Sequence, residues 1–186
     1  MTARASWLLA LAASALCAFS ANAADRSASL YQMHEKLLNQ DGKAIDLDVY
    51  RGSPVLVTMF YGSCPATCPL IIDTLRAVER KLDDTQRQQL RVLLVSLDAE
   101  HDTPQALRQV ADSRRVDTSR WTLAHADAAA VRRIAAALNI QYRQLPDGQF
   151  SHSTIISALD GEGKILTQSA ELGHADPEVL RAISAR

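Results

Sequence analysis

Two stretches of the chain are short and almost entirely apolar. Residues 55–60 read VLVTMF and residues 92–97 read VLLVSL. Each is bounded by polar or turn-forming residues, the pattern of a strand buried on both faces. A different pattern precedes them. Ile45, Leu47 and Val49 alternate with polar residues, as in a half-buried strand. Residues 29–40 carry Tyr31, Met33, Leu37 and Leu38 ahead of an Asp41-Gly42 turn, so the two segments together predict a short N-terminal hairpin. Helical spacing follows the first buried strand. Leu70, Ile71, Leu75, Val78 and Leu82 give residues 69–82 one apolar face, and Pro69 suits a first helical turn. Thr103 caps a second helix that starts at Pro104 and runs toward Asp112. Residues 121–123 read as a short strand, and residues 127–138 as a helix through Val131, Ile134 and Leu138. Residues 141–149 are polar, with turn residues at Pro146-Asp147-Gly148. Residues 150–159 (FSHSTIISAL) are β-rich and predict one strand. Asp160-Gly161-Glu162-Gly163 then turns the chain into a last strand over 164–167, and Pro177 opens a final helix. The order predicts an α/β fold: a mixed central sheet flanked by helices, with an antiparallel closing hairpin and an N-terminal hairpin extension.

Composition narrows the class without changing this layout. A chain of 186 residues, 47 % of them hydrophobic, suffices for one domain with a sizeable core. The formal net charge of −1 supplies no broad electrostatic footprint for nucleic acid. The first 23 residues read as a secretory signal peptide: Arg4, an apolar alanine-rich run over 7–19, and an Ala21-Asn22-Ala23 cleavage pattern. The apolar run is too short for an ordinary membrane span. The mature domain is therefore expected over residues 24–186 and exported to the periplasm, with membrane association only through an uncleaved leader; nothing in the sequence demands more than a monomer. Cys17 lies inside the leader. Leu16 before it is not the small residue that a lipid-modified cysteine requires.

Export gives the two remaining cysteines their meaning. Cys64 and Cys68 fall on the predicted turn between the first buried strand and its helix. A disulfide closing so small a loop would add only modest stability, which favours a redox or metal-binding role. The positive end of a helix favours thiolate character at Cys68. His152, between two serines at the start of the predicted strand 150–159, is a candidate third ligand. Two thiolates and an imidazole suit Cu(I), Cu(II) or Zn. His101, His125 and His174 have no comparable spacing and read as loop or surface residues. Met59 reads as core and Met33 as packing.

Three segments resemble the SCO/SenC family of copper-binding, thioredoxin-like proteins that serve cytochrome c oxidase assembly. Residues 57–70 (VTMFYGSCPATCPL) resemble the family's strand and C-P-x-x-C-P turn. Residues 95–104 (VSLDAEHDTP) resemble V-S-x-D-P-x-x-D-T-P, with Ala99 in the place of proline. His152-Ser153, ahead of a β-rich run and a D-x-x-G turn, resembles the segment holding the family's ligand histidine, with Ser151 where aspartate is common. The resemblance implies a thioredoxin-like fold and a copper ion held by Cys64, Cys68 and His152. It also implies a supporting role for Asp98 beside them. The implied partner is a cytochrome c oxidase subunit or another copper or redox protein. Read without copper, the same cysteine pair suits a thiol–disulfide oxidoreductase, one sulfur attacking and the other resolving.

Overall fold

Strand β3 (Val55–Phe60) lies inside the sheet with all six residues buried. Its apolar run leaves no face for water, so it pairs on both sides. Strand β4 (Arg91–Ser96) joins it in parallel, with Met59 opposite Val95 and Phe60 opposite Ser96. The computed structural model describes residues 29–64 and 67–185. Strand β5 (Trp121–His125) extends the parallel set from β4. Strand β8 (Ile156–Leu159) lies antiparallel on the other side of β3, followed by β9 (Ile165–Ser169). The N-terminal hairpin, β1 (Leu37–Asn39) and β2 (Ala44–Ile45), adds to the β5 edge. The resulting seven-stranded order is β2-β1-β5-β4-β3-β8-β9. This is the expected thioredoxin-like mixed sheet flanked by helices, with its N-terminal hairpin. The predicted leader lies outside the described residues. No helix among the described residues is long and apolar enough to cross a membrane.

The helices begin where short polar side chains can satisfy their first N–H groups. Helix α1 (Thr67–Glu79) leaves the cysteine turn. Helix α3 (Pro104–Ser113) is capped by Thr103, α4 (Ala128–Ala137) by Asp127, and α5 (Pro177–Ser184) by Asp176. A further helix, α2 (Asp84–Gln89), was not predicted. It is short and buries no residue, so apolar spacing does not mark it; a capping box between Asp83 and Gln86 does.

Two predicted strands take other forms. Ile45, Leu47 and Val49 do not share one strand. β2 ends at Ile45, and Leu47–Tyr50 forms a 3₁₀ turn that buries Leu47 and Tyr50 and leaves Val49 61 % exposed. The period was that of a tight helical turn, where residues three apart share a face. The run 150–159 also divides. Ile156–Leu159 is fully buried and joins the central sheet. Phe150–His152 (β7) instead pairs with Tyr142–Gln144 (β6) as a separate two-stranded ribbon. The polar residues Ser151, Ser153 and Thr154 explain the break, since a strand facing two apolar layers cannot carry them cheaply. Gly148, at φ 81°, makes the tight connection between β6 and β7.

Candidate metal centre

Parallel strands leave the sheet in the same direction, so the segments after β3, β4 and β5 meet at one edge. Leu97 N–H donates to the Phe60 carbonyl at 2.7 Å, holding the two exits side by side. The first carries Tyr61, Gly62 and Cys64. The second carries Asp98 and Asp102. The third ends at His125, whose Nδ1 lies 3.1 Å from the Asp102 carbonyl oxygen.

Cys64 and Cys68 are both buried, at 7 % and 5 % exposure. The Cys68 backbone N–H donates to Cys64 Sγ at 3.3 Å. The first turn of α1 thus points one of its unsatisfied N–H groups at the preceding sulfur. Phe60, Tyr61, Gly62, Pro69, Ile72, Val110 and Arg114 complete a small cleft around the two thiols. Burial pushes the Cys68 thiol well above the usual cysteine range, against a lowering contact from the Tyr61 backbone; Cys64 and the Asp102 carboxylate raise it further. Burial at Cys68 thus acts in the opposite sense to the helix terminus, which favours the thiolate. A soft metal ion at the two sulfurs would supply the positive charge that the surroundings lack.

His152 reaches the region from the β6–β7 ribbon. Its ring stands edge-on to Tyr61, with centroids 6.1 Å apart, and Phe150 packs on the same tyrosine at 5.3 Å. Cys64 lies within hydrogen-bonding reach of Tyr61 and, after burial, contributes to raising the tyrosine's pKa. The structure thus brings His152 to the tyrosine that borders the thiols. Among the described residues, no three His, Cys, Asp or Glu side chains gather closely enough to hold a metal ion. Burial lowers the His152 pKa below its ordinary value. Its Nδ1 lies 3.2 Å from the Ser153 carbonyl. A carbonyl only accepts, so Nδ1 carries the proton in this bond and Nε2 keeps its lone pair.

Asp98 is buried at 4 % exposure, but its carboxylate faces its own loop. It accepts the N–H groups of Glu100 and His101 and meets His101 Nδ1 at 3.0 Å. The carboxylate turned toward the cysteine segment is Asp102. Its Oδ2 accepts the Gly62 N–H at 2.7 Å and the Ser96 hydroxyl at 2.5 Å. Tyr61 and Asp102 were not singled out from the sequence. Asp102 stands four residues after Asp98 and directly before a helix-capping threonine, and that paired spacing was the available signal.

A model of one protein family, SCO1/SenC, matches residues 23–185. The chain belongs to the SCO1/SenC family. It is 26 % identical over 83 residues to a protein described as "SCO1 protein homolog" from Bacillus subtilis. That match covers 45 % of this chain and 42 % of the relative, so it spans less than half the length of either. Among solved structures, Arabidopsis thaliana ScoI with copper bound superposes with a TM-score of 0.72 at 17 % identity, over 82 % of this chain and 97 % of that one. Bradyrhizobium japonicum ScoI with copper bound gives 0.67 at 20 % identity, over 81 % and 96 %. At these identities the likeness is one of fold. This SCO1/SenC chain places Cys64 after the interior strand β3 and Cys68 in the first turn of α1.

Proposed function

We propose that this SCO1/SenC chain is a periplasmic copper carrier that supplies, or maintains, the copper site of a respiratory cytochrome c oxidase. Copper is its cargo, held by Cys64 and Cys68, with His152 as the third donor. The observation that carries this reading is that Cys64 and Cys68 line one small cleft with their thiols within hydrogen-bonding reach of each other. Thiolate sulfur selects Cu(I) over harder cations. The lone pair on His152 Nε2 supports its assignment, and the Tyr61 contact supports its approach. The relatives with copper bound support the choice of metal. The recipient is a cytochrome c oxidase subunit or another copper or redox protein, met by a monomeric carrier.

The second reading, a thiol–disulfide oxidoreductase, has the same sulfur proximity behind it. It gives His152 no part, whereas the carrier reading uses the imidazole that the ribbon brings to Tyr61. One titration separates the two. Reduced protein is titrated with Cu(I) and Cu(II), beside Cys64→Ser, Cys68→Ser and His152→Ala. Either cysteine variant is expected to lose stoichiometric binding. His152→Ala removes a donor outright and is expected to weaken binding by at least the roughly 10–100-fold that losing a partner behind a ligand costs. Unchanged affinity in all three would overturn the copper reading. Turnover of a partner disulfide that needs both cysteines and not His152 would establish the alternative.

A further inference from the structure

We infer that Asp102 is a positioning residue for the cysteine pair: one carboxylate oxygen pins the β3–α1 turn through Gly62 and so fixes where the two sulfurs sit. The inference rests on reading Cys64 and Cys68 as the working pair.

The argument begins with burial. Asp102 is 5 % exposed, and a carboxylate there is costly unless it is hydrogen-bonded. Burial raises its pKa, against the contacts from Ser96 and Gly62. A residue spent only on helix capping would not need this position, because Thr103 already caps α3. The two donors on Oδ2 come from different strand exits. Ser96 ends β4, while Gly62 lies two residues before Cys64. One oxygen therefore ties the cysteine turn to the neighbouring strand. Ser96 Oγ also accepts the Asp98 N–H at 2.9 Å, which fixes the hydroxyl's direction.

Gly62 completes the device. A Cβ at this position would stand 2.6 Å from Asp102 Oδ1 and 3.3 Å from Val110 Cγ2. The backbone approaches the carboxylate more closely than any side chain would allow. The turn is thus pressed onto Asp102 on one side and hydrogen-bonded to it by the Gly62 N–H. Past Gly62 the chain enters the Cys64 segment, with the Cys64 N–H donating to the Tyr61 carbonyl at 3.3 Å.

The test measures the rate at which reduced protein reacts with a small disulfide reagent, because that rate reads sulfur exposure and geometry whether or not copper binds. Three variants are compared with the natural protein over a pH series, each rate referred to the variant's own thiol titration, because loss of the Asp102 charge by itself eases thiol ionisation. Asp102→Ala removes both contacts and is expected to raise the rate at least about 10-fold by releasing the buried thiols. Asp102→Asn can place its carbonyl oxygen where Oδ2 stands, keep both donors and stay within about 3-fold. Asp127→Ala removes the α4 cap, lowers stability without touching the turn, and should leave the rate unchanged. The inference is overturned if Asp102→Ala reacts like the natural protein, if Asp102→Asn reacts like Asp102→Ala, or if Asp127→Ala gives the same acceleration. A copper titration of Asp102→Asn and the natural protein runs beside it. Failure of both to bind copper would overturn the carrier reading and leave the thiol result standing.

Discussion

The two halves of the candidate centre are built on opposite kinds of structure. Cys64 and Cys68 hang from β3, whose six residues are buried and paired on both sides. His152 sits on the β6–β7 ribbon, whose strands have three residues each and no fully buried position. A two-stranded ribbon is marginal by itself. Among the described residues its contacts with the body include Phe150 and His152 on Tyr61, a hydrogen bond between Tyr61 and the Phe150 backbone, and Thr58 Oγ1 donating to the Ile155 carbonyl at 2.7 Å. The comparison teaches a division of labour. The sulfur pair is preset by the core, whereas the imidazole is delivered by an element with low local stability. On the proposed carrier reading, such a division would let one donor move while two stay fixed, as holding and releasing a metal cargo requires.

The largest expected effect would break the comparison at its rigid end. Leu94 is fully buried in β4, opposite Thr58. Leu94→Ala is expected to cost about 2–5 kcal/mol of global stability. Phe150→Ala removes ring contacts with Tyr61 and Tyr142 and should cost only about 1 kcal/mol. Urea unfolding reads both. If Phe150→Ala matches Leu94→Ala, the ribbon belongs to the cooperative core and the contrast is wrong.

A smaller effect sharpens the boundary between the halves. Thr58 belongs to β3, yet its hydroxyl holds the segment that follows His152. Thr58→Val keeps the shape and deprives the Ile155 carbonyl of a donor, at about 1–3 kcal/mol. Amide hydrogen exchange should then show Ser153, whose N–H donates to the Gln141 carbonyl at 2.8 Å, losing protection before Val57 or Leu93 does. Equal loss at all three amides would mean that Thr58 stabilises the whole sheet and no boundary lies there.

The same contrast explains what the sequence disclosed. Residues 55–60 and 92–97 were legible because burial on both faces writes an unbroken apolar run. The cysteine turn was legible because Pro69 and the spacing of Ile71, Leu75 and Val78 mark a helix start. The ribbon was hidden because Phe150 and Ile156 belong to one β-rich run, and only tertiary pairing decides where it divides. Asp98 was singled out and Asp102 passed over for a related reason. Both are buried acids in one loop, and their roles depend on which way each carboxylate turns.

The smallest effect concerns two histidines near the centre, and it tests whether the ribbon shields its imidazole. His101 is solvent-exposed, and its bond to Asp98 raises its pKa above the ordinary 6.5. Burial lowers that of His152. Linkage gives the two opposite signs. The folded state binds the His101 proton more tightly, so that contribution to stability is present below 6.5 and is lost as pH rises through the folded midpoint. The folded state binds the His152 proton less tightly, so its contribution is present above 6.5 and is lost as pH falls through its lower midpoint. Proton NMR titration of the metal-free reduced protein should therefore give His101 the higher midpoint. Phe150→Ala, by loosening the ribbon, should move the His152 midpoint up toward 6.5 and leave His101 where it was. If His152 already titrates at or above His101 in the natural protein, the ribbon does not bury its ring. The imidazole would then be as free as a loop histidine, and the contrast between the two halves would be greater than the structure indicates.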